Sequence, residues 1–297
     1  MENNYEVAVI GSGLSGLSIA YILAKNGYKV AVFEKSTQFG GCLQSFKRSG
    51  VTFETGMHYI GSIEEGQILH KYFNYLSILD DIELSSLDKN CYDIIDFKGE
   101  RYSYANGYEN FIETLAKKFP NNVSDIREYV NVIRNVTKDS SYYSFRNFDF
   151  KKLLNPEHVE TSVSACISSL TNNELLQNIL AGNIMLYAGI KDKTPLYIHA
   201  LISDFYMNSA YRIVGGSDNI ANSLIKSLKN MGVDLFNNSE VKKVICDDKQ
   251  VTAIEINNGE RVEVKNLISS IHPASFLPMV DSHLIRKVYK ERVCNIE

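Results

Sequence analysis

The sequence predicts an α/β protein in which a parallel sheet is interrupted by a long, mainly helical insertion. Two observations carry this prediction. Residues 5–34 follow the order strand, glycine turn, helix and strand, and residues 233–271 return to strand-like alternation. Between these blocks, apolar residues recur at helical spacing. Because strand patterns return after the helical stretch, we expect both blocks to share one discontinuous sheet.

The composition is that of a folded protein with a slight excess of acid. The 297 residues are 44% hydrophobic and 22% charged, with 31 Lys and Arg against 35 Asp and Glu. Without a basic stripe, no nucleic-acid partner is expected. The five cysteines are far apart and include no CxxC pair, so neither a disulfide framework nor a metal site is predicted. A reducing cytoplasm fits this cysteine usage best.

The first strand and the glycine turn after it carry a nucleotide-binding pattern. Tyr5–Ile10 leads into Gly11, Gly13 and Gly16, which complete G-x-G-x-x-G. In this pattern the first glycine allows a tight turn, the second lets backbone approach a pyrophosphate, and the third lets the helix pack on the strand. The second strand, Lys29–Glu34, ends in a carboxylate that can bind ribose hydroxyls and repel a 2′-phosphate. The unit is therefore of Rossmann type, and a dinucleotide without that phosphate is its expected ligand.

NAD and FAD share this fingerprint, and the residues after Glu34 favour FAD. The pair Gly40–Gly41 follows the acid closely, and paired glycines let backbone N–H groups face a second part of the cofactor. Phe46–Arg48 and Val51–Glu54 are then predicted to form a hairpin. It leads into the loop Gly56–Gly61, which we expect to lie close to the cofactor.

The middle of the chain predicts helices. They are expected over 67–79 and 108–119, from Ser124, from a capping box formed by Thr171 and Glu174, and from Thr194–Pro195. Tyrosine is plentiful here, with 18 in the chain and no Trp. Two explanations stay open for these aromatic residues: ordinary helix packing, or the wall of a cleft for a long apolar ligand.

The last third predicts a helix and then strands. The helix follows Gly215-Gly216-Ser217, and a strand over Val233–Phe236 comes after it. A meander is then predicted from strands at 241–246, 251–256, 261–264 and 267–271, with its first turn at Asp247-Asp248.

These motifs resemble the FAD-dependent phytoene desaturase, carotene isomerase and retinol saturase family. The resemblance rests on GSGLSG with FEK, FGGCLQSF, GVTFETGMHYIG and YRIVGGSDNIANSLIKSL. The retinol saturase branch is most similar, because it also has Cys after the Gly-Gly pair and a His-Tyr pair after the next glycine. The resemblance implies a Rossmann-type FAD-binding domain with a three-stranded β-meander and an inserted, mainly helical substrate domain. It also implies that backbone at the position of Val241 pairs with adenine.

The resemblance sets the expected domain boundaries. Residues 1–65 and 214–297 would form the FAD-binding domain, and residues 66–213 the helical substrate or lid domain. Family members continue into a glycine-rich strand and helix that close over the flavin ring. The sequence ends before such a motif, so the family's C-terminal segment is expected to be missing.

Site residues follow from the motifs and the resemblance together. Because flavin carries the hydride itself, the protein is expected to supply orientation and electrostatics near the ring. His58 and Tyr59 follow the flavin-facing turn and are the candidates for catalytic residues, with a structural role as the alternative. The predicted cofactor-binding residues are Gly11, Ser12, Gly13, Leu14, Ser15, Gly16, Glu34, Lys35, Gly40, Gly41, Cys42 and Val241.

Three function classes remain open at this point. The first is an FAD-dependent desaturase, saturase or isomerase that moves a hydride between flavin and a carbon of an apolar polyene or isoprenoid. The second is a flavoenzyme of the amine oxidase or protoporphyrinogen oxidase type. The third is a truncated, non-catalytic FAD-binding fragment. The absence of an obvious buried acidic or basic cluster in the helical segment favours an apolar small-molecule substrate. A peripheral membrane contact and the oligomeric state stay open.

Overall fold

The computed structural model describes residues 4–138, 140, 155–190, 192–247, 250–280 and 285–295. The chain divides into two compact units. The first contains the described residues of Met1–His58, Phe73–Glu83 and Ile213–Glu297, and the second those of Tyr59–Tyr72 and Leu84–Arg212. The predicted turn at Asp247-Asp248 lies partly outside the described residues.

Both units contain β-strands, which are numbered in chain order. They are β1 (Asn4–Ile10), β2 (Val30–Phe33), β3 (Ser45–Arg48), β4 (Val51–Glu54), β5 (Ile60–Gly61), β6 (Leu84–Ser86), β7 (Asp93–Phe97), β8 (Glu100–Tyr104), β9 (Ala210–Ile213), β10 (Asp234–Phe236), β11 (Val241–Cys246), β12 (Val251–Ile256) and β13 (Arg261–Ser269).

The helices are mostly short. They are α1 (Leu14–Lys25), α2 (Ile68–Tyr75), α3 (Tyr108–Ala116), α4 (Val123–Lys138), α5 (Pro156–Glu160), α6 (Val163–Leu170), α7 (Glu174–Leu180), α8 (Leu196–Asn208), α9 (Asp218–Asn230), α10 (Pro273–Phe276) and α11 (Lys287–Cys294). Single turns of 3-10 helix occur, among other places, at Gly41–Leu43 and Leu79–Asp81. Within the described ranges, no helix is both long and apolar enough to cross a membrane.

The first unit is built on a six-stranded sheet in the order β10-β2-β1-β13-β12-β11. The strands β10, β2, β1 and β13 are parallel, and β12 and β11 continue the sheet antiparallel. The predicted return of the 233–236 strand to the N-terminal strands is confirmed, because Leu235 pairs with Val32. Strands β1 and β2 are almost wholly buried, as expected for parallel strands with both faces covered.

The meander has three strands, as the resemblance implies, although the sequence pattern divides the last of them in two. The segments 261–264 and 267–271 were expected as separate strands, but they form the single strand β13. No glycine or proline interrupts it, and Asn266 continues the pairing with Val7 of β1. The first part of β13 therefore pairs with β12, while the part from Glu263 to Ser269 pairs with β1.

The second unit is mainly helical and has its own core. Helix α4 buries one face at a spacing of three and four residues, through Ile126, Tyr129, Val130 and Ile133. This face packs with buried residues of α3, α6, α7 and α8. Many of the described tyrosines and phenylalanines of the middle segment, Phe111 and Tyr129 among them, thus belong to an ordinary helical core.

The second unit also contains strands that the helical prediction omits. Strands β7 and β8 form a hairpin closed by Lys98 and Gly99, both with positive φ, the backbone state of tight hairpin turns. A small sheet has the order β5-β9-β6. Gly61 of β5 lies so close to α8 that a Cβ there would be 2.3 Å from the carbonyl oxygen of Phe205.

The observed units differ from the expected boundaries in two places. Residues 73–83 belong to the first unit, because the hydroxyl of Ser77 lies 2.8 Å from that of Tyr21 and Asp81 accepts hydrogen bonds from Ser223 and Lys226. Residues 59–65 belong to the second unit, because β5 pairs with β9. These long-range contacts leave no local mark in the sequence.

One helix end and two helix starts also differ from expectation. The predicted helix over 67–79 ends at Tyr75, and a turn with Ser77 at positive φ follows. The helix expected to be capped by Thr171 is capped by Asn173, whose side chain accepts a hydrogen bond from the Leu176 N–H. Ser217 precedes α9 but does not cap it, because its hydroxyl donates to the carbonyl of Leu43.

Candidate cofactor and substrate sites

The glycine turn of the first unit is a close-packed cradle with one open side. Gly11 has φ +94°, and a Cβ there would lie 2.6 Å from the Ser270 hydroxyl. A Cβ on Gly16 would lie 2.1 Å from the carbonyl oxygen of Gly11. A Cβ on Gly13, in contrast, would meet nothing within 4 Å. Two of the three glycines are thus required by packing, and the third faces free space.

Gly13 is also the N-cap of α1. Its side chain offers no capping group, and the first turn of α1 contains no acidic residue. The first N–H groups of a helix have no partner within the helix, and they form its positive end. Leu14, Ser15 and Gly16 belong to this first turn. The open side of the cradle is therefore suited to the negative charge of a pyrophosphate.

Glu34 is held in place beside the cradle. It is 8% exposed, and its Oε2 accepts hydrogen bonds from the N–H (3.0 Å) and hydroxyl (2.6 Å) of Ser12. Its Oε1 accepts one from the Ser36 N–H at 2.9 Å. Burial alone would raise the pKa of Glu34, but the hydrogen bonds from Ser12 and Ser36 outweigh it and lower the pKa. Glu34 is therefore an ionised, oriented hydrogen-bond acceptor.

A cavity of about 450 Å³ opens beyond Glu34 at the carboxyl ends of β1 and β2. This is the edge of a doubly wound sheet where ligands bind. Predicted residues that line the cavity are Gly11, Glu34, Lys35 and Val241. Other lining residues belong to no nucleotide-binding motif in the sequence; they include Ser239, Glu240, Ile271, His272, Ser275 and Met279. The position of Ile271 could have been inferred, because β13 runs beside β1 and ends at the same edge.

The Gly-Gly pair packs directly on the cradle. Gly40 bridges to Gly13, and its N–H donates to the carbonyl of Ser12 at 3.0 Å. Gly40 and Gly41 both have positive φ, and a Cβ on Gly41 would lie 3.0 Å from the Cα of Gly13. The pair thus extends the cradle, and Cys42 follows it as an exposed residue of a 3-10 turn.

Thr55, which the sequence analysis did not single out, ties the hairpin to the Gly-Gly turn. Its hydroxyl donates to the carbonyl of Gln44 at 2.8 Å and lies 3.2 Å from that of Cys42. Gly56 lies against Cys42 as well, because a Cβ there would approach the Cys42 side chain and carbonyl to 3.1 Å. His58, two residues further on, is 64% exposed at its side chain, and its Nδ1 lies 3.4 Å from Glu54 Oε2.

Tyr59 belongs to the second unit, and its polar tip is already engaged. Its hydroxyl donates to Asp93 Oδ2 at 3.1 Å, and its ring packs on that of Tyr206 with centroids 4.8 Å apart. Burial, with Asp93 next, raises the pKa of Tyr59 well above its ordinary value. The hydroxyl therefore stays protonated at physiological pH, and the ring is the part of Tyr59 that faces other aromatic residues.

Tyr206, which packs on Tyr59, also lines an apolar cavity of about 330 Å³ within the second unit. Its wall is Leu186, Leu201, Ile202, Phe205 and Tyr206. The volume is at the lower end of that of small-molecule sites, about 300–1,000 Å³. Among the described aromatic residues of the middle segment, Phe205 and Tyr206 thus line this cavity.

The fold and the cradle define a dinucleotide-binding protein of Rossmann type. Comparison with known proteins identifies the family within this class. The family model for flavin containing amine oxidoreductases matches residues 14–290. The chain belongs to this flavin-containing family. Its cofactor is FAD, and the close-packed glycines, the ionised Glu34 and the cavity beyond it fit the ADP half of that molecule.

Three proteins are similar to this chain in sequence or in fold. Human all-trans-retinol 13,14-reductase is 30% identical over 280 residues, which cover 86% of this chain and 45% of that protein. The 4,4′-diapophytoene desaturase of Staphylococcus aureus is 26% identical over 321 residues, covering 98% of this chain and 60% of that protein. An oxidoreductase from Methanosarcina mazei shares the fold, with a TM-score of 0.71 at 19% identity over 98% of this chain and 65% of its own. The chain spans about half the length of the curated relatives it matches.

Proposed function

We propose that the chain is an FAD-dependent oxidoreductase of the desaturase, saturase or isomerase type, acting on C–C or C=C bonds of an apolar polyene or isoprenoid. The observation that carries the substrate class is the apolar cavity bounded by Leu186, Leu201, Ile202, Phe205 and Tyr206. No charged residue lines it among the residues described. An apolar chain gains about 25 cal/mol for each Å² that such a wall removes from water.

The names of two relatives support the same class. One is a retinol reductase and the other a diapophytoene desaturase, and both names describe conjugated, largely apolar molecules. FAD, when bound, supplies the hydride acceptor or donor. The protein then has to bind the substrate, orient it and exclude water.

The proposed cofactor-binding residues are those of the cradle and the cavity beyond it. Gly11, Gly13 and Gly16 with the first turn of α1 would hold the pyrophosphate. Glu34 would accept hydrogen bonds from the ribose, with Ser12 keeping its carboxylate in place. The extended set comprises Leu14, Ser15, Lys35, Gly40, Gly41, Cys42 and Val241.

For the two candidate catalytic residues we propose different roles. His58 has an exposed imidazole that could orient a substrate end or tune charge at the flavin ring, and the hydrogen bonds of Thr55 keep its loop beside the Gly-Gly turn. Tyr59 has its hydroxyl on Asp93, so its proposed contribution is the ring, which packs on Tyr206 of the cavity wall.

A pair of adjacent substitutions tests the substrate class. Leu186 lines the apolar cavity and is 43% exposed, whereas its neighbour Met185 is 82% exposed and lies outside the wall. We expect Leu186→Glu to weaken binding of all-trans-retinol, measured by its fluorescence, about tenfold or more, because a carboxylate at an apolar wall is costly. Met185→Glu adds the same charge and should leave retinol binding unchanged.

The amine oxidase alternative is kept because the family description itself names amines. Anaerobic reduction of the FAD by an alkyl amine, together with retinol binding that is equal in Leu186→Glu and the unsubstituted protein, would favour it. Retinol binding that only Leu186→Glu weakens favours the polyene.

A further inference from the structure

A second, polar cavity of about 760 Å³ lies in the helical unit and shares no residue with the cradle or the apolar cavity. It is bounded by the start of α2, the C-terminal half of α4 and the end of α8. Lys71 contributes from α2, Arg134 and Lys138 from α4, and Asp204 from α8. Neither the proposed reaction nor the FAD site uses these side chains.

Three basic residues line this cavity together. Arg134 and Lys138 are four residues apart on α4, so they lie on the same face of the helix. Within the described part of the chain, Lys71, Arg134 and Lys138 form no ion pair with a carboxylate. Other basic residues of the same unit do form ion pairs with carboxylates, as Arg127 does with Glu109.

Arg134 is also held in place. Its guanidinium carbon lies 4.7 Å from the centroid of the Tyr108 ring, a cation–π contact that limits the motion of the side chain. A pre-positioned guanidinium loses less conformational entropy when it binds an anion.

The two carboxylates at the cavity compensate these cations poorly. Asp204 is 3% exposed, and its oxygens accept hydrogen bonds from the Tyr108 hydroxyl at 2.5 Å and the Asn208 amide at 2.8 Å. Burial raises the pKa of Asp204 despite its hydrogen bonds and the nearby charge of Arg134, so its charged form is less favoured than that of an exposed aspartate. Glu128 is exposed at the rim and accepts a hydrogen bond from Asn131 at 3.3 Å.

We propose that this cavity binds a phosphate or diphosphate group, carried either by a soluble organic molecule or by a lipid headgroup. A group with two or more negative charges matches the three basic side chains better than a single carboxylate does. The Arg134 guanidinium can bind two phosphate oxygens at once, while the two lysines act as point charges. The amide of Asn135 is a further donor at the wall.

Calorimetric titration with inorganic pyrophosphate tests this site. The protein is first saturated with FAD, so that the glycine cradle cannot take up the probe. We expect saturable binding that is about tenfold weaker or more in Arg134→Gln/Lys138→Gln, because both substitutions remove charged hydrogen-bond donors to phosphate oxygens. Glutamine keeps much of each side chain's length, and circular dichroism verifies the fold.

The matched control is Lys117→Gln/Arg127→Gln, which removes the same charge from the same unit away from the cavity. It should bind pyrophosphate as the unsubstituted protein does. Sedimentation with vesicles of phosphatidylcholine, with and without phosphatidic acid, distinguishes the source of the phosphate. Vesicle binding that needs phosphatidic acid and is lost in Arg134→Gln/Lys138→Gln alone supports a lipid headgroup, and saturable pyrophosphate binding supports a soluble ligand. Neither probe binding, or an equal loss in both double variants, would overturn the proposal.

Discussion

Alanine substitutions at two glycines of the same turn are predicted to have opposite consequences. A Cβ on Gly16 would lie 2.1 Å from the carbonyl oxygen of Gly11 and 2.7 Å from the Ser270 hydroxyl. Ordinary C···O contacts are about 3.3 Å or longer, so α1 would have to move by about 1 Å from β1. A Cβ on Gly13 would meet nothing within 4 Å, and its φ of −65° is one that alanine adopts readily.

The expected cost of Gly16→Ala is about 3 kcal/mol or more, at the upper end of what overpacking causes, because backbone is the obstacle. That corresponds to a fall in melting temperature of roughly 6–12 °C for a unit of this size. Gly13→Ala exchanges a tolerated N-cap for a poor one and should cost about 1 kcal/mol or less. Its Cβ instead occupies the open side of the cradle, so FAD affinity should fall about tenfold or more.

The assay is a thermal melt of each FAD-free variant by circular dichroism, followed by an FAD titration at a temperature where all are folded. An unchanged melting temperature in Gly16→Ala would show that close packing does not require this glycine. Undiminished FAD affinity in Gly13→Ala would show that the open side of the cradle does not bind the cofactor.

Three further predictions concern single side chains. Glu34→Ala should weaken FAD retention on gel filtration by removing the ionised acceptor that Ser12 and Ser36 orient; unchanged retention would contradict this role. His58→Gln should slow flavin reduction or reoxidation strongly with FAD still bound, and a change confined to thermal stability would instead assign His58 a structural role. His199 is buried between the hydroxyls of Tyr129 and Tyr187, and burial lowers its pKa from 6.5 to about 4. Because the folded protein keeps His199 neutral, its contribution to the free energy of unfolding is complete above pH 6.5, and about 3 kcal/mol is lost as the pH falls from 6.5 to 4. Urea unfolding of the unsubstituted protein should show that loss relative to His199→Gln. Parallel pH profiles of the two proteins would be evidence against it.

The sequence was most informative where chemistry depends on a few neighbouring residues. The cradle needs glycines at fixed spacing because backbone and side-chain atoms lie within 3 Å of where two of their Cβ atoms would be, and that requirement is visible in Gly11 and Gly16. The hairpin β3–β4 was likewise predicted, since its turn is local. The parallel pairing of β10 with β2 followed from the general rule for crossovers.

Long-range contacts account for what the sequence did not show. Residues 73–83 join the first unit through Ser77 and Asp81, whose partners Tyr21 and Ser223 are distant in the chain. The hydrogen-bond partner of a side-chain hydroxyl can likewise be distant in the sequence. Nothing near Tyr59 in the sequence indicates that its hydroxyl bonds Asp93, so a role at the flavin was as consistent with the pattern as a role in packing.

The division of the tyrosines also required the structure. Helical spacing places Tyr129 and Tyr206 on helices, but it does not distinguish a core position from a cavity wall. Tyr129 is 2% exposed within the helical core, whereas Tyr206 lines the apolar cavity. Tyr206 also packs against that core, so helical spacing alone does not separate the two explanations.

The most direct measurement of the central claim is the identity and amount of nucleotide released when the purified, FAD-reconstituted chain is denatured. Chromatography with fluorescence detection distinguishes FAD from FMN, and absorbance identifies NADP. We expect about one FAD per chain, retained through gel filtration. NADP should be neither retained nor able to displace FAD, because Glu34 repels a 2′-phosphate. Tight retention of NADP with no flavin released would contradict this expectation.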